Sequence, residues 1–97
     1  IRVIIGKGGL GAGTLAACKE FGCVYLQAVG GAAAVIAESI KEVKAVYFLD
    51  EFGATEAMWE LEVEDLQATV AMDSHGESLF ANVKAASLEQ LKQLCMV

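Results

Sequence analysis

Residues 3–14 read VIIGKGGLGAGT. Three β-branched residues run straight into a segment holding five glycines and one lysine. A continuous β-branched run from Arg2 to Ile5 predicts a strand covered on both faces. Gly6 to Gly13 then reads as a loop. Thr14 to Phe21 reads as a helix, with Leu15, Cys18 and Phe21 on its inner side and Gly22 placed as its C-cap. Strand, glycine loop and helix in that order constrain the chain to an α/β unit. They also form a device for binding anions. Glycines allow φ > 0 and close approach to the backbone N–H groups. A helix N-terminus contributes partial positive charge. Lys7 adds a full charge on a flexible stem. The combination suits a small anion such as a carboxylate, held by Lys7 with Gly6, Gly8 and Gly9. The same residues also suit a tight β–α turn with a solvated lysine.

The pattern repeats once. Val24 to Val29 is a second apolar strand, broken by Gly30-Gly31. Ala32 to Ile40 follows as a helix with Ala33, Ile36 and Ile40 on one face. Val43 to Leu49 makes a third strand, and the alternation favours parallel pairing through crossovers. Gly30 and Gly31 are a secondary candidate for ligand contact, because open α/β sheets place ligands at the carboxyl ends of their strands. A close-packed helix–strand junction explains them equally well. The second half changes character. Thr55 to Met58 reads as a short helical turn. Glu60 to Glu64 alternates strictly, as in a half-buried strand with three carboxylates on one face. Ala68 to Met72 is another strand, Asp73-Ser74-His75-Gly76 a type I turn, and Ser87 with Gln90 a capping box opening a helix with Leu88, Leu91 and Cys95 on one side. The expected fold is therefore α/β, a mixed sheet flanked by helices, with residues 1–97 forming one domain.

Charge and cysteine content exclude several functions. Net charge is −6, and Asp50 to Glu77 holds nine acids without a Lys or Arg. Nucleic acid is not an expected partner, since phosphate neutralisation needs a basic face. No apolar stretch is long enough to predict a membrane span. Hydrophobic residues make up 56% of the chain, which points to apolar surface meant for a partner. Cys18, Cys23 and Cys95 lack CxxC spacing, and the chain has one histidine. They read as apolar fillers rather than disulfides or metal ligands, and they fit a reducing, cytoplasmic location. The chain begins at Ile1 without an initiator Met, as expected of a processed chain or a fragment.

Gly6-x-Gly8-x-x-Gly11 formally matches the dinucleotide fingerprint. That fingerprint needs an acid at the end of the second strand to take the ribose hydroxyl. The sequence there is Tyr25-Leu26-Gln27-Ala28. A P-loop is also excluded, because no Gly-Lys-Ser/Thr closes the loop. Weaker candidates are His75 as a proton shuttle, against a solvated turn histidine, and Glu62, Glu64 and Asp65 as an acidic site, against a solvated strand face. Trp59 reads as core or interface packing. No Ser-His-Asp or Cys-His arrangement can be assembled.

Three further stretches narrow the reading. Gly6-Lys7-Gly8-Gly9, Gly30-Gly31 with the following Ala-Ala-Val, and Glu56-Ala57-Met58-Trp59 leading into Glu62-Val63-Glu64-Asp65 occur in one order across about residues 2–83. In this the chain resembles the C-terminal domain of class I, iron–sulfur-dependent fumarate hydratases and the β subunits of L-tartrate dehydratase. The resemblance implies a swivelling β/β/α domain, of which this is the C-terminal portion. It implies a hydro-lyase that adds water to fumarate, or removes it from tartrate, with a [4Fe-4S] cluster as Lewis acid. The cluster ligands belong to a partner α subunit or N-terminal domain, and Cys18, Cys23 and Cys95 do not match them. Lys7 takes the place of the family's loop lysine, which holds a substrate carboxylate from across the domain interface. A Thr-rich segment ending in Gly-Arg would precede Ile1, so the chain alone is expected to be inactive. A dimer of αβ units follows from the same resemblance. Leu10 replaces a common Met, and two expected turn prolines are absent. A nucleotide-binding module and a non-catalytic docking domain remain the alternatives.

Overall fold

The computed structural model describes residues 1–29, 31 and 33–95. Contacts divide the chain into two compact units. The first contains Ile1–Gly30 and Ala68–Val97, and the second Gly31–Gln67.

In the first unit, strand β1 (Val3–Gly6) leads into helix α1 (Ala12–Phe21), which returns the chain to strand β2 (Val24–Gln27). Strand β5 (Thr69–Met72) and helix α4 (Leu79–Cys95) complete it. The sheet order is β1-β2-β5, with β1 parallel and β5 antiparallel to β2. This is the expected mixed sheet. α1 begins two residues earlier than its hydrophobic pattern predicts, so Gly13 lies inside its first turn. Its C-terminus follows the prediction: Gly22 is left-handed at φ 68°, and Arg2 Nη1 donates to the Phe21 carbonyl at 3.1 Å. That guanidinium sits at the negative end of the helix dipole, where a cation is favourable.

The core of this unit is small. Cys18, Tyr25, Ala71 and Met72 are buried together, with Leu15, Cys23 and Phe80 packed against them. Two expectations are corrected here. β1 is not covered on both faces: Val3, Ile4 and Ile5 are each 38–49% exposed, and among the described residues β1 is also the edge strand of the three-stranded sheet. Phe21 does not join the inner side of α1 but is exposed, since the helix ends at that residue. The cysteines differ from one another: Cys18 is buried filler, Cys23 is half-buried, and Cys95 is exposed.

α4 is one continuous helix through Ser87, which corrects the expected capping box there. The cap lies nine residues earlier. Ser78 is buried, and its Oγ accepts the N–H of Ala81 at 3.3 Å, the third helical residue. Leu88, Leu91 and Leu94 are exposed along the helix. Before it, Asp73 Oδ1 accepts the N–H groups of His75 and Glu77, each at 2.9 Å. The expected turn is therefore present, with Gly76 at φ 90°.

The second unit contains helix α2 (Ala33–Glu38), strand β3 (Ile40–Tyr47), the short helix α3 (Leu49–Phe52) and strand β4 (Met58–Val63). β3 and β4 pair antiparallel as a two-stranded ribbon, not in the parallel sheet expected from the βαβ alternation. Ile40 begins β3 rather than ending α2. A helical turn falls at α3, ahead of the one predicted at Thr55, where hydrogen bonds from Glu56 and Ala57 to the Gly53 carbonyl form a turn. Residues of β4 alternate as expected but none is buried, so the half-buried reading is corrected. Glu62 pairs with Lys44 at 3.3 Å, and Glu60 accepts from the Tyr47 hydroxyl at 3.0 Å. Trp59 is 45% exposed, with Nε1 donating to the Ala54 carbonyl. A two-stranded ribbon with this much apolar exposure has little stability of its own.

Two measurements test these assignments. Ser78→Ala should destabilise the fold by about 1 kcal/mol in urea unfolding, and Ser87→Ala should not, because only Ser78 caps a helix. The two N–H groups from Glu77 and His75 hold the Asp73 carboxyl below the usual aspartate value. A depressed folded pKa contributes stability above the unfolded value and loses it as pH falls through the folded one. The stability gap between wild type and Asp73→Ala should thus close as pH drops below 3.8.

Candidate functional site

The loop between β1 and α1 is the candidate site. It leaves the carboxyl end of β1 and places Lys7, Gly8 and Gly9 on the surface, with Gly6 as the last strand residue. β1 and β2 are adjacent and parallel, with Gly6 opposite Gln27. Gly6 also accepts the N–H of Ala28 at 2.7 Å. The loop therefore lies where a parallel pair opens, as the ligand rule for such sheets requires.

Electrostatically the loop is one-sided. Gly11 is the N-cap of α1 and no side chain caps the helix. Its first turn contains no acid. The Gly11 carbonyl accepts the N–H groups of Thr14 and Leu15. The remaining first-turn N–H groups have no partner within the helix. Among the described residues the one ion pair is Lys44 with Glu62, so Lys7 has no carboxylate partner. Positive dipole end, free ammonium and absent counter-anion together favour an anion from outside.

The glycines play a different part from the one expected. None from Gly6 to Gly13 adopts a left-handed φ. Backbone freedom is therefore not what they supply. A Cβ built on Gly8, Gly9, Gly11 or Gly13 meets nothing within 4 Å. Nothing among the described residues excludes a side chain there. Gly6 is the exception, since its Cβ would lie 2.7 Å from the Tyr25 hydroxyl. Ile4 and Gly6 pair with Tyr25 and Gln27, which puts all four on one face of the sheet. The Tyr25 ring leans along that face over Gly6, and its hydroxyl donates to the Gly8 carbonyl. Tyr25 is 2% exposed and stacks obliquely on Phe80, with centroids 6.3 Å apart. Sequence reading passed over this residue. The available signal was a tyrosine between Val24 and Leu26 in a largely apolar strand, where its hydroxyl must find a partner if the strand is buried.

The other candidates are not joined to this loop. Gly31 is exposed with φ 77° and belongs to the second unit, and Gly30 lies outside the described residues. His75 sits exposed in the Asp73 turn. Glu62 is paired with Lys44, and Asp65 has a left-handed φ of 57°. Among the described residues no group of three or more His, Cys, Asp or Glu side chains could hold a metal ion. No helix among them is long and apolar enough to cross a membrane. Gln27 ends β2 at the point where a dinucleotide site needs its carboxylate.

The family model described as Fumarase C-terminus matches residues 1–83. The chain belongs to this family. It is 54% identical over 93 residues to a protein of Geobacillus stearothermophilus described as "Putative fumarate hydratase class I", covering 96% of this chain and 18% of that protein. It is 48% identical over 95 residues to a Methanocaldococcus jannaschii protein described as "Putative L(+)-tartrate dehydratase subunit beta", covering 97% of this chain and 49% of that one. A "Fumarate hydratase class I, aerobic" of Salmonella typhimurium is 36% identical over 85 residues, covering 87% of this chain and 14% of the relative. The chain thus spans about half the length of the β-subunit relative and less than a fifth of the fumarate hydratases. These relatives are hydro-lyases by name, and the mixed α/β fold agrees with the family's C-terminal domain.

The open space around Gly9 yields a test within this chain. Gly9→Ala should leave the fold intact or stabilise it by roughly 0.4–1 kcal/mol, as a glycine replaced at a compatible φ does. Thermal unfolding measures this. A loss of stability would show that the loop packs against its own chain.

Proposed function

We propose that residues 1–97 act as one piece of the substrate-facing β half of an iron–sulfur hydro-lyase that hydrates fumarate or dehydrates tartrate. In this reading Lys7 is the residue that holds a substrate carboxylate, with the backbone of Gly6, Gly8 and Gly9 closing around it. The observation that carries it is the uncapped helix N-terminus beside an unpaired, exposed lysine. A substrate carboxylate supplies the missing counter-charge. The family match runs through both units, which supports treating them as one functional piece.

The chain's own cysteines do not fit a cluster. One is buried in the core, one donates to the Ile1 carbonyl at 3.1 Å, and one lies exposed near the end of α4. The cluster is assigned to a partner α subunit or N-terminal domain, where it would supply a Lewis acid. This chain contributes charge and orientation. Lys7 neutralises one carboxylate, the helix end adds a fixed dipole, and the open glycines admit the substrate to N–H distance. The chain is inactive alone under this reading, and works in the cytoplasm in a dimer of αβ units. The second name among the relatives, a subunit beta, supports a partner subunit.

Lys7→Ala in the assembled enzyme should lower kcat/KM for the dicarboxylate roughly 10- to 100-fold, the equivalent of one charge-assisted hydrogen bond of about 1.5–3 kcal/mol. Lys7→Arg should not restore it, because a planar fork replaces a compact ammonium in a tight loop. Near-normal kinetics for Lys7→Ala would refute the role given to this lysine.

A further inference from the structure

We propose that Tyr25 is the positioning residue of the Lys7 loop, a clamp from the buried core that sets where the lysine backbone stands. The proposal rests on the reading of Lys7 as the carboxylate-holding residue. Three observations carry it. The hydroxyl of Tyr25 donates to the carbonyl of Gly8, the residue directly after Lys7. The ring is 2% exposed and held by the core that contains Cys18, Met72 and Phe80, so the donor cannot wander. Gly6, directly before Lys7, has no space for a Cβ because that hydroxyl would stand 2.7 Å away. Lys7 is therefore flanked by two residues that meet the same phenol.

No other side chain reaches this loop by a hydrogen bond among the described residues. A Cβ on Gly8 or Gly9 would meet open space, so no side-chain packing among the described residues holds these two on that side. An exposed glycine-rich segment of this kind loses much conformational entropy when a ligand fixes it. The Tyr25 hydrogen bond fixes part of the segment before ligand arrives. Loss of the bond should therefore appear as weaker substrate binding, not as a slower chemical step. Removing only the hydroxyl leaves the ring in the core, so the fold survives the test.

Kinetics and amide hydrogen exchange on the assembled enzyme test the clamp. Tyr25→Phe should raise KM for the dicarboxylate roughly tenfold or more, with kcat within about threefold. Exchange at Lys7 to Gly11 should quicken while β5 and α4 keep their protection. In a Lys7→Ala background, Tyr25→Phe should add little, since both act through one lysine. Gly6→Ala should reproduce the KM increase by displacing the phenol, and Gly6→Ala with Tyr25→Phe should be more stable than Gly6→Ala alone. Unchanged KM and unchanged loop exchange in Tyr25→Phe would overturn the clamp, as would exchange that quickens equally throughout the unit. Normal kinetics in Lys7→Ala together with faster loop exchange in Tyr25→Phe would overturn the carboxylate reading and uphold the clamp.

Discussion

The contact between the Tyr25 hydroxyl and the Gly8 carbonyl joins the two parts of the first unit that have opposite needs. The core needs apolar burial and holds few fully buried residues. The loop needs exposure, charge and open backbone. A tyrosine meets both demands, since its ring fills the core and its polar end must find an acceptor. With Tyr25 in the core, Gly6 can carry no side chain, and the Gly8 carbonyl has a fixed partner. Lys7 lies between the two. The position of the one charged group in the loop thus depends on how β2 packs between β1 and β5.

Much of the loop was legible from residue types. A β-branched run, clustered glycines and a following helix predict the strand, the turn and the exposed lysine, because each follows from local preference. Gly22 closing α1 and Asp73 organising its turn are local in the same sense. What failed depended on neighbours distant in the chain. Nothing in Val3-Ile4-Ile5 says that β1 is an edge strand, because a sheet edge is set by what does not pair beside it. The β3 pattern fits a parallel or an antiparallel partner equally, and only its pairing with β4 decides. Ser87 offered a better capping motif than Ser78, but α4 begins at Leu79, just past the Asp73 turn, and an interior serine is tolerated once the helix has started.

The role of the glycines shows why spacing alone misled. Clustered glycine is commonly read as a need for left-handed backbone, yet none in this loop adopts it. At Gly6 the reason is the phenol above it. At Gly8 and Gly9 nothing among the described residues occupies the space a Cβ would fill. An anion bound at this loop, as proposed, would meet Lys7 and an uncapped helix N-terminus together.

The same logic applies to the exposed apolar surface. Val3, Ile5, Val43, Trp59, Leu61 and Leu91 stand at 40–55% exposure, far more than a chain with so small a core would keep if it worked alone. The ribbon carries exposed Lys41, Glu42 and Glu60 beside the Lys44–Glu62 pair, so its exposed surface is mixed, apolar and charged. The relatives described as a fumarate hydratase and as a tartrate dehydratase subunit beta are two to several times longer than this chain. Under the proposed reading, this piece contributes a placed ammonium, a helix end and the tyrosine that keeps them in register.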